Sequence, residues 1–441
     1  MPDFLFFFVL RACIWIVILP NYLRITLRHF LRRHTTPQEV KNTHREAKTH
    51  ILILLPSLDK GGVEQVIIDM VTHIDKTNFQ VYILCTQRLG NAAQVCSELG
   101  IHVECIVEPT EQELEAYILR HKIALVQLHS VYFPSDGPYL LGIPRMKKYG
   151  VRVVFYLHNT FVWFTEYHKR FVQYLDPYID AYIAVSTTVK EYVSSNIGVN
   201  PEKICVIENG IDRTIMKREN ISIGVTRETL GLEKDDYVFL NVASYTIMKG
   251  QNALISATKE LKETFPNFKV LCFGYNTDPA YLELFKKRVR KYRLEDTILF
   301  LGYKDDIRKY YETADAFVLP SYFEGWSIAV LEALSFGLPL ILTDSGGARE
   351  VIQNQDVGIM IPNIRANVAD ICLENILYDS VQSTPLLTQD LYRAMRTFIE
   401  EKAVWKEKGA SGVKKLEYYD IQDVVRKYEK IFSELILISK P

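Results

Sequence analysis

The chain has 441 residues, which is too many for one ordinary hydrophobic core and suits two domains with additional segments. Its 52 Lys and Arg residues nearly balance its 53 Asp and Glu residues, and the net charge of −1 gives no indication of nucleic-acid binding. The seven cysteines are scattered without a C-x-x-C pair, which favours a reducing compartment and argues against a disulfide framework or a structural zinc site.

The N-terminal segment differs in composition from the remainder of the chain. Phe4–Pro20 is apolar apart from Arg11, and arginines follow it at positions 24, 28, 32 and 33. A membrane span needs ~20 apolar residues, and a cleaved signal peptide carries its positive charge before the apolar run. We therefore predict a membrane anchor and linker over residues 1–48, touching the bilayer through residues 4–33 and leaving the rest at the cytoplasmic face. A spanning helix, an interfacial helix and a buried N-terminal helix all stay open.

Residues 49–212 alternate between buried apolar runs and helical patterns. This alternation is typical of a doubly wound parallel α/β sheet, in which ligands bind beyond the carboxyl ends of the strands. His129 and His158 both fall at predicted strand ends. The predicted strands are His50–Pro56, Gln80–Cys85, His102–Val107, Ala124–His129, Val151–His158 and Ala181–Ser186.

A glycine loop follows the first predicted strand. Gly61 and Gly62 precede a helix predicted to begin at Val63. A glycine backbone at Gly62 could approach a phosphate closely, although an ordinary strand-to-helix turn would also use glycine. The loop does not match G-x-G-x-x-G and no stretch matches the P-loop, which argues against a nicotinamide enzyme or an ATPase.

Two loops of the first domain are rich in aromatic residues. Val131–Tyr139 and Phe161–Tyr174 predict an acceptor-binding or membrane-facing surface, with domain core as an equal alternative for half of the rings. Asn209–Asp212 reads Asn-Gly-Ile-Asp, in which Asn-Gly is a common turn dipeptide. We place the domain boundary near Asp212.

The most informative stretch is Ala314–Glu350. Ala316–Leu319 and Leu338–Leu342 suit buried strands, and Ser327–Phe336 carries apolar residues at helical spacing before Gly337. This order is a strand–helix–strand unit. The strands Tyr237–Ala243, Lys269–Phe273 and Ile298–Leu301 precede it and complete a second predicted sheet domain over residues 213–412.

Two glutamates flank the helix of this unit. Glu324 precedes the helix and Glu332 lies on its second turn, about 12 Å away if the stretch is helical at ~1.5 Å per residue. At that distance they cannot share one proton. They suit two carboxylates that grip hydroxyl groups, with an anion between them at the helix N-terminus.

This pattern resembles the donor-sugar motif of the retaining GT-B glycosyltransferases of family 4, in which seven residues separate two glutamates and the motif begins Glu-Gly. The resemblance covers about His50–Leu437 and is strongest in the second domain. It implies two Rossmann-like domains facing a cleft, the first on the acceptor side and the second binding the nucleotide-sugar. It also implies a final helix, within residues 413–441, that crosses back to the first domain. Further matching features are Asn209–Asp212, Gly302–Ile307, Gly337–Pro339 and Gly346-Gly347 with Glu350.

The resemblance also implies roles for single residues. Glu332 would hold the ribose hydroxyls, Glu324 the sugar hydroxyls, and Lys249 would neutralise the phosphate of the leaving group. Backbone N–H groups near Trp326–Ser327 would meet the diphosphate, and His158 would reach the donor. The implied catalytic residues are thus Glu324, Lys249 and His158, and the implied donor-binding residues are Gly62, Ser244, Lys249, Gly325, Trp326, Ser327 and Glu332.

One position departs from the pattern. Relatives usually carry an arginine five residues before the lysine, and this chain has Ser244 there. A serine still donates a hydrogen bond, but a charge-assisted bond is roughly twice as strong. The donor is then held differently, or a cation comes from elsewhere, or activity is lower.

The sequence therefore predicts a retaining glycosyltransferase that uses a nucleotide diphosphate-sugar, with a lipid-linked glycan precursor as the expected acceptor. No cofactor and no catalytic metal are expected, because the chain has no Asp-x-Asp triplet. The alternatives are a sugar-nucleotide epimerase and a non-catalytic GT-B subunit of a glycan-assembly complex.

Overall fold

The computed structural model describes residues 48–59, 61–129, 138–216, 225–276, 279–365, 370–382 and 385–437. The membrane anchor predicted over residues 4–33, and most of the aromatic loop Val131–Tyr139, lie outside these ranges. Within them, no helix combines the length and the apolar character that crossing a bilayer requires.

The first domain contains a seven-stranded parallel sheet in the order β3-β2-β1-β4-β5-β6-β7. The interior strand β1 pairs on both sides and is buried from Ile51 to Leu55, since helices cover both faces of a doubly wound sheet. The strands are β1 Thr49–Leu55, β2 Phe79–Cys85, β3 His102–Cys105, β4 Leu125–Leu128, β5 Arg152–Leu157, β6 Ala181–Ala184 and β7 Ile204–Val206. The helices are α1 Gly62–His73, α2 Ala93–Glu98, α3 Glu111–Arg120, α4 Ile143–Met146, α5 Glu166–Leu175 and α6 Thr187–Tyr192.

The second domain repeats this plan with six parallel strands in the order β10-β9-β8-β11-β12-β13. The strands are β8 Tyr237–Val242, β9 Phe268–Phe273, β10 Ile298–Gly302, β11 Ala316–Leu319, β12 Leu340–Thr343 and β13 Gly358–Ile361. The helices are α7 Gln251–Lys262, α8 Pro279–Tyr292, α9 Arg308–Tyr311, α10 Ile328–Ser335, α11 Ala348–Val351, α12 Leu373–Gln382, α13 Pro385–Glu400 and α14 Lys402–Gly412.

The last helix, α15 Ile421–Leu437, packs on α1 of the first domain. Its buried residues Val424, Tyr428 and Phe432 recur at helical spacing, and the Tyr428 ring lies 5.5 Å from that of Tyr156 on β5. A Cβ added at Gly210 would lie 2.9 Å from the Cα of Ile421, so glycine is required for the chain to return this closely.

The alternation of apolar runs and helical patterns correctly predicted two doubly wound parallel sheets. Two strands were missed. β7 is three residues long, and β13 lies in the region after Glu350 that the sequence pattern assigned to helix. Such short strands acquire their conformation from pairing with a neighbour, here β12 for β13, and leave little periodic signal in the sequence.

Candidate active site

The segment Glu324–Ser327 connects β11 to α10 at the carboxyl end of the second sheet and touches the first domain there. A Cβ added at Gly325 would lie 1.9 Å from the carbonyl oxygen of His158, which follows β5. The Nδ2 of Asn209 donates to the carbonyl oxygen of Trp326 at 3.3 Å. Only glycine at position 325 therefore allows the two domains to approach in this way.

Lys249 and Glu324 form an ion pair at this junction. The Lys249 Nζ lies 2.7 Å from the Glu324 Oε1, which also accepts a hydrogen bond from the Ser321 hydroxyl at 2.8 Å. Gly250 has φ +71°, and an added Cβ there would lie 1.9 Å from the carbonyl oxygen of Pro320. The sequence Lys249-Gly250 thus combines the cation with the glycine that lets its loop pack beside Glu324.

Glu332 is half-buried on α10 and accepts a hydrogen bond from the Tyr311 hydroxyl at 2.7 Å. Burial raises the pKa of Glu332, while the Tyr311 bond and the Arg308 cation oppose that rise. The carboxylate of Glu332 thus already accepts a hydrogen bond from a hydroxyl group.

A carboxyl group of the first domain faces this region. Asp69 on α1 accepts a hydrogen bond from the Gln65 amide at 2.8 Å. The pKa of Asp69 is raised to about 6, mainly by burial and also by the negative charges of Asp212 and Glu332, while the Gln65 hydrogen bond and His73 oppose this rise. Sequence analysis did not identify Asp69, because a single aspartate on an amphipathic helix carries no local signal.

His158 belongs to a short chain of hydrogen bonds within the first domain. Its Nε2 lies 2.9 Å from the Nδ1 of His129, whose Nε2 lies 3.2 Å from the Oε1 of Gln127. With Gln127 accepting, His129 must accept from the Nε2–H of His158, and Nδ1 of His158 is left as an acceptor. Burial lowers the pKa of His158 to about 4, so its ring is neutral at pH 7.

The tyrosine ring beneath these histidines fixes their position. The Tyr156 ring stacks on His129 with centroids 4.2 Å apart and on His158 at 5.7 Å. His129 is fully buried. His129 therefore positions His158 and does not itself face the cleft.

Ser244, which stands where the family resemblance implies an arginine, lies half-buried after β8. Its carbonyl oxygen accepts from the Gln251 amide at 3.0 Å, and within the described ranges its hydroxyl makes no hydrogen bond. Gly274 packs against this backbone, since an added Cβ would lie 1.8 Å from the carbonyl oxygen of Ala243. The hydroxyl is thus available to a ligand, but the cation is absent from this position.

The remaining predicted residues differ in how tightly they are held. The Trp326 ring is buried, lies 5.1 Å from the Tyr419 ring and packs on Gly347, so it is a core residue whose backbone faces the junction. Ser327 precedes α10 without a capping hydrogen bond. Gly62 is exposed at the start of α1, and nothing lies within 4 Å of an added Cβ, so packing alone does not require glycine there.

Four further hydrogen bonds join the domains on the other side of Glu324. The backbone N–H and hydroxyl of Thr187 donate to Glu350 at 2.8 and 2.6 Å, and the Thr188 hydroxyl donates to the carbonyl oxygen of Gly346 at 2.9 Å. The Tyr192 hydroxyl donates to the carbonyl oxygen of Ile371 at 3.2 Å. Helix α6 thereby anchors the first domain on the glycine loop of the second.

A cavity of about 170 Å³ lies beside this anchor. Arg349 and Arg365 contribute two cations, and Asp344 pairs with Arg349 through two hydrogen bonds of 2.6 and 2.9 Å. An anion that enters it would meet guanidinium groups close to Glu324. Sequence reasoning missed these arginines, although Arg349 directly precedes the Glu350 that the motif contains. The cavity is lined by Thr160, Thr188, Phe323, Glu324, Asp344, Ser345, Gly346, Arg349, Pro362, Asn363, Arg365 and Ile371.

Family models match both domains of the chain. Residues 60–214 match the model described as Glycosyltransferase Family 4, and residues 223–375 match the model described as Glycosyl transferases group 1.

Curated relatives and solved structures agree with these matches. The uncharacterized glycosyltransferase MJ1607 of Methanocaldococcus jannaschii is 32% identical over 200 residues, which cover 43% of this chain and 49% of that protein. The UDP-Gal:alpha-D-GlcNAc-diphosphoundecaprenol alpha-1,3-galactosyltransferase of Escherichia coli is 24% identical over 341 residues, 73% of this chain and 86% of that protein. The crystal structure of Anabaena HepE in complex with UDP and glucose covers 88% of this chain and 100% of that one, with a TM-score of 0.72 and 18% identity.

Proposed function

Because this chain belongs to the group 1 glycosyltransferases of GT-B fold, we propose that it transfers a sugar from a nucleoside diphosphate-sugar to a lipid-linked glycan precursor. The observation that carries this proposal is the Lys249–Glu324 pair, 2.7 Å apart at the carboxyl end of the second sheet and directly before α10. Ligands of doubly wound sheets bind at this end.

The ion pair supplies the two groups that the reaction needs. A bound diphosphate would draw Lys249 away from Glu324, because a phosphate is a stronger competitor for the ammonium group. The released carboxylate of Glu324 would accept hydrogen bonds from the sugar hydroxyls. As the glycosidic bond breaks, charge grows on the leaving phosphate and Lys249 stabilises it, so the interaction strengthens in the transition state.

Glu332 and His158 would hold the donor at its two ends. Glu332 would exchange its Tyr311 hydrogen bond for the ribose hydroxyls. The neutral His158 would present Nδ1 to a hydroxyl of the sugar. Backbone N–H groups at Trp326 and Ser327 would face the diphosphate at the start of α10.

We propose retention of the anomeric configuration by front-face substitution. The backbone carbonyl of His158 lies against Gly325, and the neutral imidazole of this residue does not form the glycosyl ester that a double displacement through a carboxylate would need. The leaving phosphate would then accept the proton of the attacking hydroxyl on the same face. No metal step is proposed, because Lys249 fills the electrostatic role that a cation would have.

The proposed acceptor follows from two supports. The Escherichia coli relative is named for a galactosyl transfer to GlcNAc-diphosphoundecaprenol. The apolar segment Phe4–Pro20, followed by arginines, suits a membrane anchor with the enzyme on the cytoplasmic side. Deleting residues 1–33 should release the protein from membranes, and full retention on membranes would exclude this segment as the main anchor.

The test of the proposal is a thermal-shift screen of the full chain against UDP-, GDP-, ADP- and dTDP-sugars. A ligand at 100 times its Kd stabilises the fold by about 2.7 kcal/mol. One nucleotide class should raise Tm in the wild type and in the control Glu407→Ala, which changes an exposed glutamate of α14, but not in Glu332→Ala. Equal shifts in all three proteins would contradict the assignment of Glu332.

A non-catalytic subunit of a glycan-assembly complex is the second candidate, and Ser244 is the observation that favours it. A chain that lacks one phosphate cation could keep the fold without turnover. This candidate requires that no sugar nucleotide binds or is hydrolysed. Gain of donor binding in Ser244→Arg, with none in the wild type, would support it over the first proposal.

A further inference from the structure

Three potential metal ligands meet at the outer edge of the first sheet, away from the interdomain cleft. His102 and Glu104 lie on the edge strand β3, and His121 follows α3. One ligand atom from each of them lies within 4.8 Å of the other two. His102 and Glu104 are two residues apart on a strand, so both side chains point to the same face.

We propose that His102, Glu104 and His121 bind a zinc ion. Two imidazole nitrogens and a carboxylate oxygen are a ligand set that suits Zn²⁺, with water as the fourth ligand. Zinc bonds of about 2.0–2.2 Å in a tetrahedron place the ligand atoms about 3.3 Å apart. Small side-chain rotations therefore suffice to close the site from its present separations.

His121 carries the strongest indication of an absent partner. Its Nε2 atom is buried and has no hydrogen-bond partner among the described residues. A buried polar atom without a partner is costly, and a metal would satisfy it.

The surroundings of the site restrict the rings to nearly the required positions. The Tyr82 ring on β2 lies 4.8 Å from that of His121 and 5.6 Å from that of His102. The Nδ1 of His50 lies 2.6 Å from the carbonyl oxygen of His121, which fixes the backbone of that residue. The Glu104 Oε1 already lies 2.7 Å from the Nε2 of His102. Such an outer shell pre-organises metal ligands.

The ion would join the edge strand to the end of a helix. Among the residues that the structure describes, β3 pairs in the sheet only with β2, so it lies at the sheet edge. His102 begins β3, whereas the cleft lies at the carboxyl ends of the strands. The site is therefore structural and independent of sugar transfer. Cysteine spacing gives no sign of this site, because none of its ligands is a cysteine.

The test titrates Zn²⁺ into the full chain after removal of metals with EDTA. One equivalent should raise Tm, while Mg²⁺, which prefers oxygen ligands, should not. His121→Ala should weaken Zn²⁺ affinity by about 100-fold or more, since outer-shell partners alone contribute 10–100-fold. His168→Ala, a half-buried histidine of α5, is the matched control and should bind like the wild type.

Two results would overturn the proposal. One is the absence of zinc binding, and the other is binding of equal affinity in the wild type, His121→Ala and Glu104→Gln, which would place the ion on other histidines of the chain. Glu104→Gln keeps the shape of the side chain and decides the question if His121→Ala fails to fold. Hydrogen exchange adds an independent readout, because zinc should slow exchange in β3 and α3 of the wild type alone.

Discussion

The two walls of the cleft differ in how they hold their polar groups. On the second domain, Lys249 pairs with Glu324 at 2.7 Å and Glu332 pairs with Tyr311 at 2.7 Å. On the first domain, His158 and His129 are neutral rings fixed by burial and by one another. The second wall can exchange its charged partners for a ligand, while the first wall offers fixed groups. In the proposed reaction, the second domain would stabilise charge and the first domain would orient the donor.

The largest expected effect comes from removing the Lys249–Glu324 ion pair of the second domain. Lys249→Met removes the cation beside Glu324, and kcat should fall by about 10²–10³-fold, the range for losing one group that stabilises developing charge. Steady-state kinetics with the donor class found in the thermal-shift screen measure this loss. Lys259→Met, on the exposed side of α7, is the control and should retain activity. Equal kcat in both variants would show that Lys249 is only a surface lysine.

The second substitution disturbs the contact between the two domains at Gly325. Gly325→Ala places a Cβ 1.9 Å from the carbonyl oxygen of His158, and such overpacking should lower the free energy of unfolding by about 1–3 kcal/mol. Denaturant unfolding measures it. Gly62→Ala is the matched control, because nothing lies within 4 Å of its added Cβ. If the donor passes close to Gly62, that variant should lose donor affinity while its stability stays unchanged. Equal stability of both variants would contradict the contact at Gly325.

The third change concerns a carboxyl group between the walls. The pKa of Asp69 is raised to about 6, so the native state holds this proton where the unfolded state has released it. Asp69 should therefore reduce stability progressively as pH rises from about 4 to 6, with the full penalty above pH 6. Asp69→Asn should be more stable than the wild type by about 1–3 kcal/mol at pH 7 and equal to it below pH 4.

The measurement is the free energy of unfolding of both proteins across pH 3.5–8. Asp235→Asn, which changes an exposed aspartate before β8, should follow the wild type at every pH. A difference between wild type and Asp69→Asn that is constant with pH would show that Asp69 titrates normally.

The smallest expected effect comes from changing the hydrogen bond between the neutral rings of His129 and His158 in the first domain. His129→Leu removes the acceptor of the His158 hydrogen bond, and the loss of about 1 kcal/mol corresponds to roughly a fivefold fall in kcat/KM. Nitrogen chemical shifts of His158 should report Nε2–H in the wild type and a mixture of tautomers in the variant. A Nδ1–H tautomer in the wild type would mean that the Gln127 amide is turned over and that His158 donates to the sugar.

The sequence by itself determined the features that depend on residues close together in the chain. The alternation of apolar runs with helical patterns predicted both parallel sheets, and Lys249-Gly250, Glu324-Gly325 and Glu332 marked the wall of the second domain. These signals are readable because strand and helix periods, and the spacing of a loop to its helix, act over a few residues.

Only the tertiary structure decided how the walls meet. It placed Gly325 against His158, Thr187 on Glu350 across 163 residues, and Asp69 within the field of Glu332. It also brought His102 and His121 together at the sheet edge. These contacts arise from the packing of the two sheets and from the return of the last helix to the first domain. No local sequence pattern predicts them, because each residue involved has no unusual feature within its own strand, helix or loop.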